Sequence, residues 1–157
     1  MIKLVMSNNI IIFLLIFLLF SCGTCKEYGS PLNNSIKVFE ETFNQKVDIP
    51  IDIVDIPQKE EGYRTLGVCY FFKGPRFLRF ILIDKTYWDN ATPYQRESTI
   101  IHELGHCMFD LEHDDTMIGD FIFVRPKSIM HPYTFPQYEQ HRDYYLKELF
   151  SRIPKSN

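Results

Sequence analysis

The residues best placed to do chemistry are His102-Glu103-Leu104-Gly105-His106. On a helix, residues four apart stack on one face, so His102 and His106 can present both imidazoles to a single ion. Glu103 lies about 100° around the same helix, within reach of water beside that ion without ligating it. Given how few histidines the chain has, the pattern arises by chance in roughly 1% of such sequences. Gly105 in mid-helix costs about 1 kcal/mol relative to Ala, which calls for close approach by another backbone or a ligand. A catalytic zinc takes three protein ligands and keeps one position open. His113 is the nearest third imidazole, but an unbroken helix would carry it about 10 Å past His106. The helix must therefore stop and the chain must turn between 107 and 112. Asp110 is the residue there that best tolerates a left-handed conformation. Asp110, Glu112 and Asp114 are the other ligands available in this stretch, and Asp114 could instead orient His113 through its second N–H.

These residues need a frame to hold them. Thr92-Pro93-Tyr94-Gln95 carries an N-cap, a first-position proline and a capping box, predicting a helix from there to about Phe109. Ile100, Leu104, Cys107 and Met108 form its core stripe. Ser35 can cap an earlier helix with Ile36, Phe39, Phe43 and Val47 at helical spacing. Ile49 to Ile56 alternates as a strand, with Pro50 suited to its start or a sheet edge. Gln58 to Tyr63 reads as a charged loop. Val68 to Phe72 and Phe77 to Ile83 are β-rich runs around Lys73-Gly74-Pro75-Arg76, which predicts a hairpin. A last helix starts near Pro136, with Tyr138, His141, Tyr145 and Leu149 on one face. Helix, strand, hairpin, helix, loop and helix in that order is an α+β domain.

The chain has 157 residues, enough for one domain. Its 17 Lys and Arg against 20 Asp and Glu offer no polyanion footprint, so nucleic acid is not an expected partner. No Gly-rich phosphate loop is present. Residues 1–21 read as a signal peptide: Lys3, then an apolar run from Ile10 to Phe20 that is too short to span a membrane well. Leu19-Phe20-Ser21-Cys22 resembles a bacterial lipoprotein processing site. That resemblance implies a lipid on Cys22, a tether over 22–34, a domain over 35–157 and an extracytoplasmic, membrane-anchored location. In an oxidising compartment Cys69 could pair with Cys107, or both could be buried thiols.

His102-Glu103-x-x-His106 with a third histidine close behind, followed by Ser128-Ile129-Met130-His131, resembles the metzincin zinc endopeptidases. The resemblance covers most of residues 35–150. It implies a compact domain with a small, twisted, mostly parallel sheet, an active-site helix and a C-terminal helix. It further implies one zinc ion on His102, His106 and His113, Glu103 as general base and Met130 in a turn beneath the metal. The chain departs from the family pattern in two places. The motif glycine falls at Phe109 and the third histidine at Glu112, so His113 arrives one residue late. The tyrosine that some members place two residues after the methionine is Pro132 here, with Tyr133 next, so oxyanion stabilisation would fall to Tyr133. Glu139-Gln-His-Arg-Asp143 resembles the second-helix segment of gluzincins and makes Glu139 an alternative ligand. The activity implied is hydrolysis of peptide bonds in an extracytoplasmic protein or peptide by a monomer. An edge strand, read here as Phe77 to Ile83, would hold the substrate extended. Asp84 to Asn90, with Tyr87 and Trp88, would line the cleft or simply anchor the corner before the helix. The competing reading is a non-catalytic, zinc-containing surface lipoprotein that binds a partner. Glu103 argues against it, since a closed structural site has no use for a base.

Overall fold

A computed structural model describes residues 30–58, 64–71, 79–120 and 122–153, so the stretch read as a signal peptide, Cys22, most of the expected loop over 58–63 and the expected turn over 73–76 lie outside the described residues. Helix α1 spans Ser30–Phe43. It therefore begins inside the stretch expected to be tether. Pro31 falls in the first turn, where a missing N–H costs nothing. Leu32 is fully buried, giving that turn a core contact of its own. The helix ends at Phe43, before Val47, because Asn44 takes a left-handed conformation (φ 50°).

Strands β1 (Ile51–Val54), β2 (Gly67–Tyr70) and β3 (Phe80–Asp84) form a sheet in the order β1-β3-β2. β1 runs parallel to β3, with Ile51 beside Ile81, whereas β2 runs antiparallel, with Gly67 opposite Ile83. The sheet is thus mixed rather than mostly parallel, because the β2–β3 pair is a hairpin and hairpin strands oppose each other. β3 is central, so the strand expected to sit at the substrate edge is paired on both sides. The edge strand that borders the site is β2.

The short helix α2 (Lys85–Asn90) follows β3 directly. Asp84 caps it, accepting the Tyr87 N–H at 2.8 Å. Trp88 is buried there, with the Arg96 guanidinium over its ring and the Arg96 Nε–H donated to its carbonyl. Trp88 therefore anchors the corner.

Helix α3 spans Pro93–Phe109 and carries the expected capping box between Thr92 and Gln95. Its buried stripe includes Ile100, Leu104, Cys107 and Met108. The ring of Phe109 stacks on Phe39 of α1 at 5.8 Å. Between α3 and the C-terminal region lies a two-stranded hairpin, β4 (Met117–Gly119) and β5 (Val124–Pro126). A 3-10 turn over Pro136–His141 then leads into α4 (Arg142–Arg152). Tyr138, Tyr145 and Leu149 are buried against the rest of the core. Glu97 of α3 accepts hydrogen bonds from the Tyr138 hydroxyl and Arg142 Nε, fastening this region to α3. Mixed helices and small sheets make this an α+β fold.

Candidate metal centre

Helix α3 stops at Asp110, whose backbone is left-handed (φ 55°, ψ 31°) and whose N–H reaches back to the carbonyls of Gly105 and His106. That reversal brings His113 back over the helix face. The Nε2 atoms of His102 and His106 lie 3.0 Å apart, those of His102 and His113 3.2 Å, and those of His106 and His113 3.1 Å. Three nitrogens on one tetrahedral ion, each bonded at about 2.0–2.1 Å, would stand about 3.3 Å from one another, so the spacing fits.

The opposite ring nitrogens decide what faces inward. His102 Nδ1–H donates to the Ile129 carbonyl at 2.8 Å and His106 Nδ1–H donates to the Leu111 carbonyl at 2.5 Å. A carbonyl can only accept, so both Nδ1 atoms carry the proton and both Nε2 atoms turn lone pairs to the centre. Burial, then the neighbouring His106, push the His102 imidazole down to about 3. His106 and His113 are lowered as well, again chiefly by burial. Neutral imidazoles with convergent lone pairs form a ligand set for a cation. Among the described residues this trio is the cluster of potential ligands that could hold a metal ion.

The other carboxylates considered for the site go elsewhere. Asp110 pairs with Arg79 at 2.8 Å. Asp114 accepts the Thr116 N–H at 3.1 Å and lies 3.7 Å from Arg152, so its carboxylate does not orient His113. Glu112 and Glu139 are exposed and stand outside the cluster, and the segment Glu139 to Asp143 is not brought to it.

No family model, curated protein or solved structure matches this chain.

His102, His113 and Glu103 line a cavity of about 590 Å³. One wall is the approach to β2, including Leu66 and Gly67; the other carries His131, Tyr133 and Phe135. Tyr87 and Trp88 are not in it. Glu103 is buried, and burial pushes its carboxyl up to about 8 against the opposing hydrogen bond from the Cys69 N–H. A Cβ on Gly67 would lie 2.8 Å from Glu103 Oε1, so only glycine lets β2 run this close to the acid. Cys69 and Cys107 form a disulfide that ties β2 to α3 beside Glu103.

Met130 is fully buried against Gly105 of α3, in a tight turn closed by the His131 N–H to the Ser128 carbonyl at 3.2 Å. A Cβ at Gly105 would come within 2.6 Å of the Met130 sulfur, which accounts for the mid-helix glycine. The same turn offers the Ile129 carbonyl to His102 and the Met130 carbonyl to the Asp114 N–H at 3.0 Å. Three features of the site escaped the sequence reading. The cavity-facing position of His131 is one and the Cys69 amide on Glu103 another. Gly67, at the start of β2, is the third, and a glycine in a strand is itself a sign of close approach.

Proposed function

We propose that this chain is a zinc-dependent endopeptidase of metzincin type, exported and anchored through a lipid on Cys22. The observation that carries the proposal is the meeting of three imidazole Nε2 atoms beside a cavity that His102 and His113 line together with a buried carboxyl, Glu103. A divalent ion held by His102, His106 and His113 would supply polarisation of the scissile carbonyl and acidification of water. Glu103, raised toward neutral pH, is suited to take a proton from the attacking water and deliver it to the leaving amine. The Cys69 N–H and the tight passage of Gly67 hold that carboxyl in place. The outer edge of β2 passes directly beside Glu103, which already takes the Cys69 N–H, and the edge positions flanking that contact can pair with an extended peptide. Tyr133 lines the same cavity and is the residue that would donate to the developing oxyanion. The Cys69–Cys107 disulfide supports an oxidising, extracytoplasmic compartment.

The decisive experiment compares wild type with Glu103→Gln for zinc content and for cleavage of a reduced, alkylated protein, with a chelator control. The variant is expected to keep its zinc and lose at least about 100-fold in cleavage rate. Cleavage retained by the variant refutes the role of Glu103. A wild type that holds zinc but cleaves nothing supports the non-catalytic binding module.

A further inference from the structure

We infer that Arg79 and Arg152 are positioning residues that clamp segment 110–114 from its two ends and so deliver His113 to the metal centre. The inference rests on the metal-binding reading of the three histidines. Backbone hydrogen bonds hold Asp110 and Leu111 to the end of α3 and Asp114 to the Met130 carbonyl, but among the described residues none of this kind holds Glu112 or the His113 backbone between them. The segment lies outside any helix or strand, and Glu112 and His113 are exposed. An imidazole carried on such a chain would wander unless its flanks were fixed, and His102 and His106 alone leave the ligand set incomplete.

Arg79 fixes the first end. It lies just before β3, is buried, and donates from Nη1 to the Cys107 carbonyl at 2.6 Å and to Asp110 Oδ1 at 2.8 Å. One guanidinium thus grips both the last turn of α3 and the left-handed residue that reverses the chain. A cation at a helix C-terminus is also favoured by the exposed carbonyls there. Its Nε finds no partner. An unsatisfied buried donor is costly, so the arginine is not explained as an ordinary core residue.

Arg152, in the last turn of α4, fixes the other end. Its Nη2 reaches the Glu112 carbonyl at 3.4 Å, and its Nη1 lies 3.7 Å from Asp114 Oδ2. These contacts bracket His113 on both sides. Nη1 also donates to Ser128 Oγ at 2.8 Å, and Glu148 lies within 3.6 Å. Ser128 opens the turn whose Ile129 carbonyl orients His102. Arg152 therefore joins the flanks of the third ligand to the support of the first. The planar fork of arginine suits this multiple grip; the single ammonium of lysine does not.

The test measures zinc affinity of the full-length chain by competition with a chromophoric chelator, alongside urea unfolding of the metal-free protein. Arg152→Ala is expected to weaken zinc binding 10- to 100-fold, the usual effect of losing support behind a metal ligand. Asp110→Asn, which keeps the side-chain shape but removes the ion pair with Arg79, is expected to weaken it in the same direction. It stands in should Arg79→Ala fail to fold. Arg152→Lys is expected to recover only part of the loss. In a His113→Ala background the effect of Arg152→Ala should shrink several-fold, because only its support of His102 through Ser128 then remains. Unchanged affinity in Arg152→Ala and Asp110→Asn overturns the clamp while leaving the metal centre standing. So does an undiminished loss in the His113→Ala background. A wild type that binds no zinc overturns the metal reading itself.

Discussion

Replacing Gly105 by alanine sets two known effects against each other. Alanine is favoured over glycine inside a helix by about 1 kcal/mol, so the change would stabilise an unencumbered α3. Here the new methyl would lie 2.6 Å from the Met130 sulfur, 3.2 Å from its terminal methyl and 3.7 Å from Leu149 Cδ1. An ordinary contact begins near 3.4 Å, so the sulfur must retreat by about 0.8 Å. Met130 and Leu149 are both fully buried, so the sulfur can retreat only by displacing core neighbours. Forcing a methyl into a filled core costs about 1–3 kcal/mol, so the net loss should be about 0–2 kcal/mol. The displaced methionine also moves the turn whose Ile129 carbonyl holds His102, so zinc affinity should fall together with stability. Met130→Ala alone should cost about 2–5 kcal/mol by leaving a cavity. The double variant should lose less than the sum, because the added methyl then occupies vacated space. Urea unfolding of the metal-free protein and chelator competition read both quantities. A Gly105→Ala protein that gains the full helical benefit with unchanged zinc affinity, or strictly additive variants, would refute the packing argument.

Replacing Cys69 and Cys107 together by serine opens a loop closed across 38 residues and should cost roughly 2–4 kcal/mol. Dithiothreitol should lower the melting temperature of wild type toward that of the variant, and an unmoved midpoint would show that the cross-link contributes nothing. The metal-free protein should have a characteristic pH profile. His102, lowered from 6.5 to about 3, makes the unfolded chain bind more protons across that window, so stability falls as pH drops from about 6.5 toward 3. Glu103, raised from 4.5 to about 8, has the opposite sign and removes stability as pH rises through that range. The two cancel between about 4.5 and 6.5, and the depressed His106 and His113 tilt the profile upward there. Maximal stability is thus expected near pH 6.5, with an alkaline decline to pH 8 that Glu103→Gln abolishes. Persistence of that decline in the variant would assign it to another group. Glu97→Ala should cost about 1–3 kcal/mol by stranding the Tyr138 hydroxyl and Arg142, yet leave zinc affinity alone. A matching loss of zinc would mean that fastening α4 to α3 is itself what shapes the metal centre.

Much of the site was legible because its determinants are local. Thr92, Pro93 and Gln95 start α3 by capping chemistry, and the four-residue spacing of His102 and His106 makes them neighbours on any helix. Asp110 was recognisable as the turning residue since few side chains tolerate a left-handed backbone. What the sequence hid is of two kinds. Short elements such as α2 and the β4–β5 hairpin are too brief for a periodic signature, and Pro31 suggested a linker although it sits in the first turn of α1. Long-range contacts leave no trace in spacing. Arg79 meets Cys107 across 28 residues and Arg152 meets Glu112 across 40. Asp114 was a reasonable partner for His113 by proximity, but Thr116 and Arg152 compete for its carboxylate and win. The mixed sheet order follows from the hairpin, which forces one antiparallel pair.

The central claim is that three imidazoles hold one metal ion and leave a coordination position open. A crystal structure of the zinc-loaded protein, with anomalous difference density collected at the zinc edge, tests it most directly. The account predicts a single ion bonded to Nε2 of His102, His106 and His113, with no fourth protein ligand and with Glu103 beside the open position. Density elsewhere, an ion lacking His113, or a fourth side chain closing the site would contradict it.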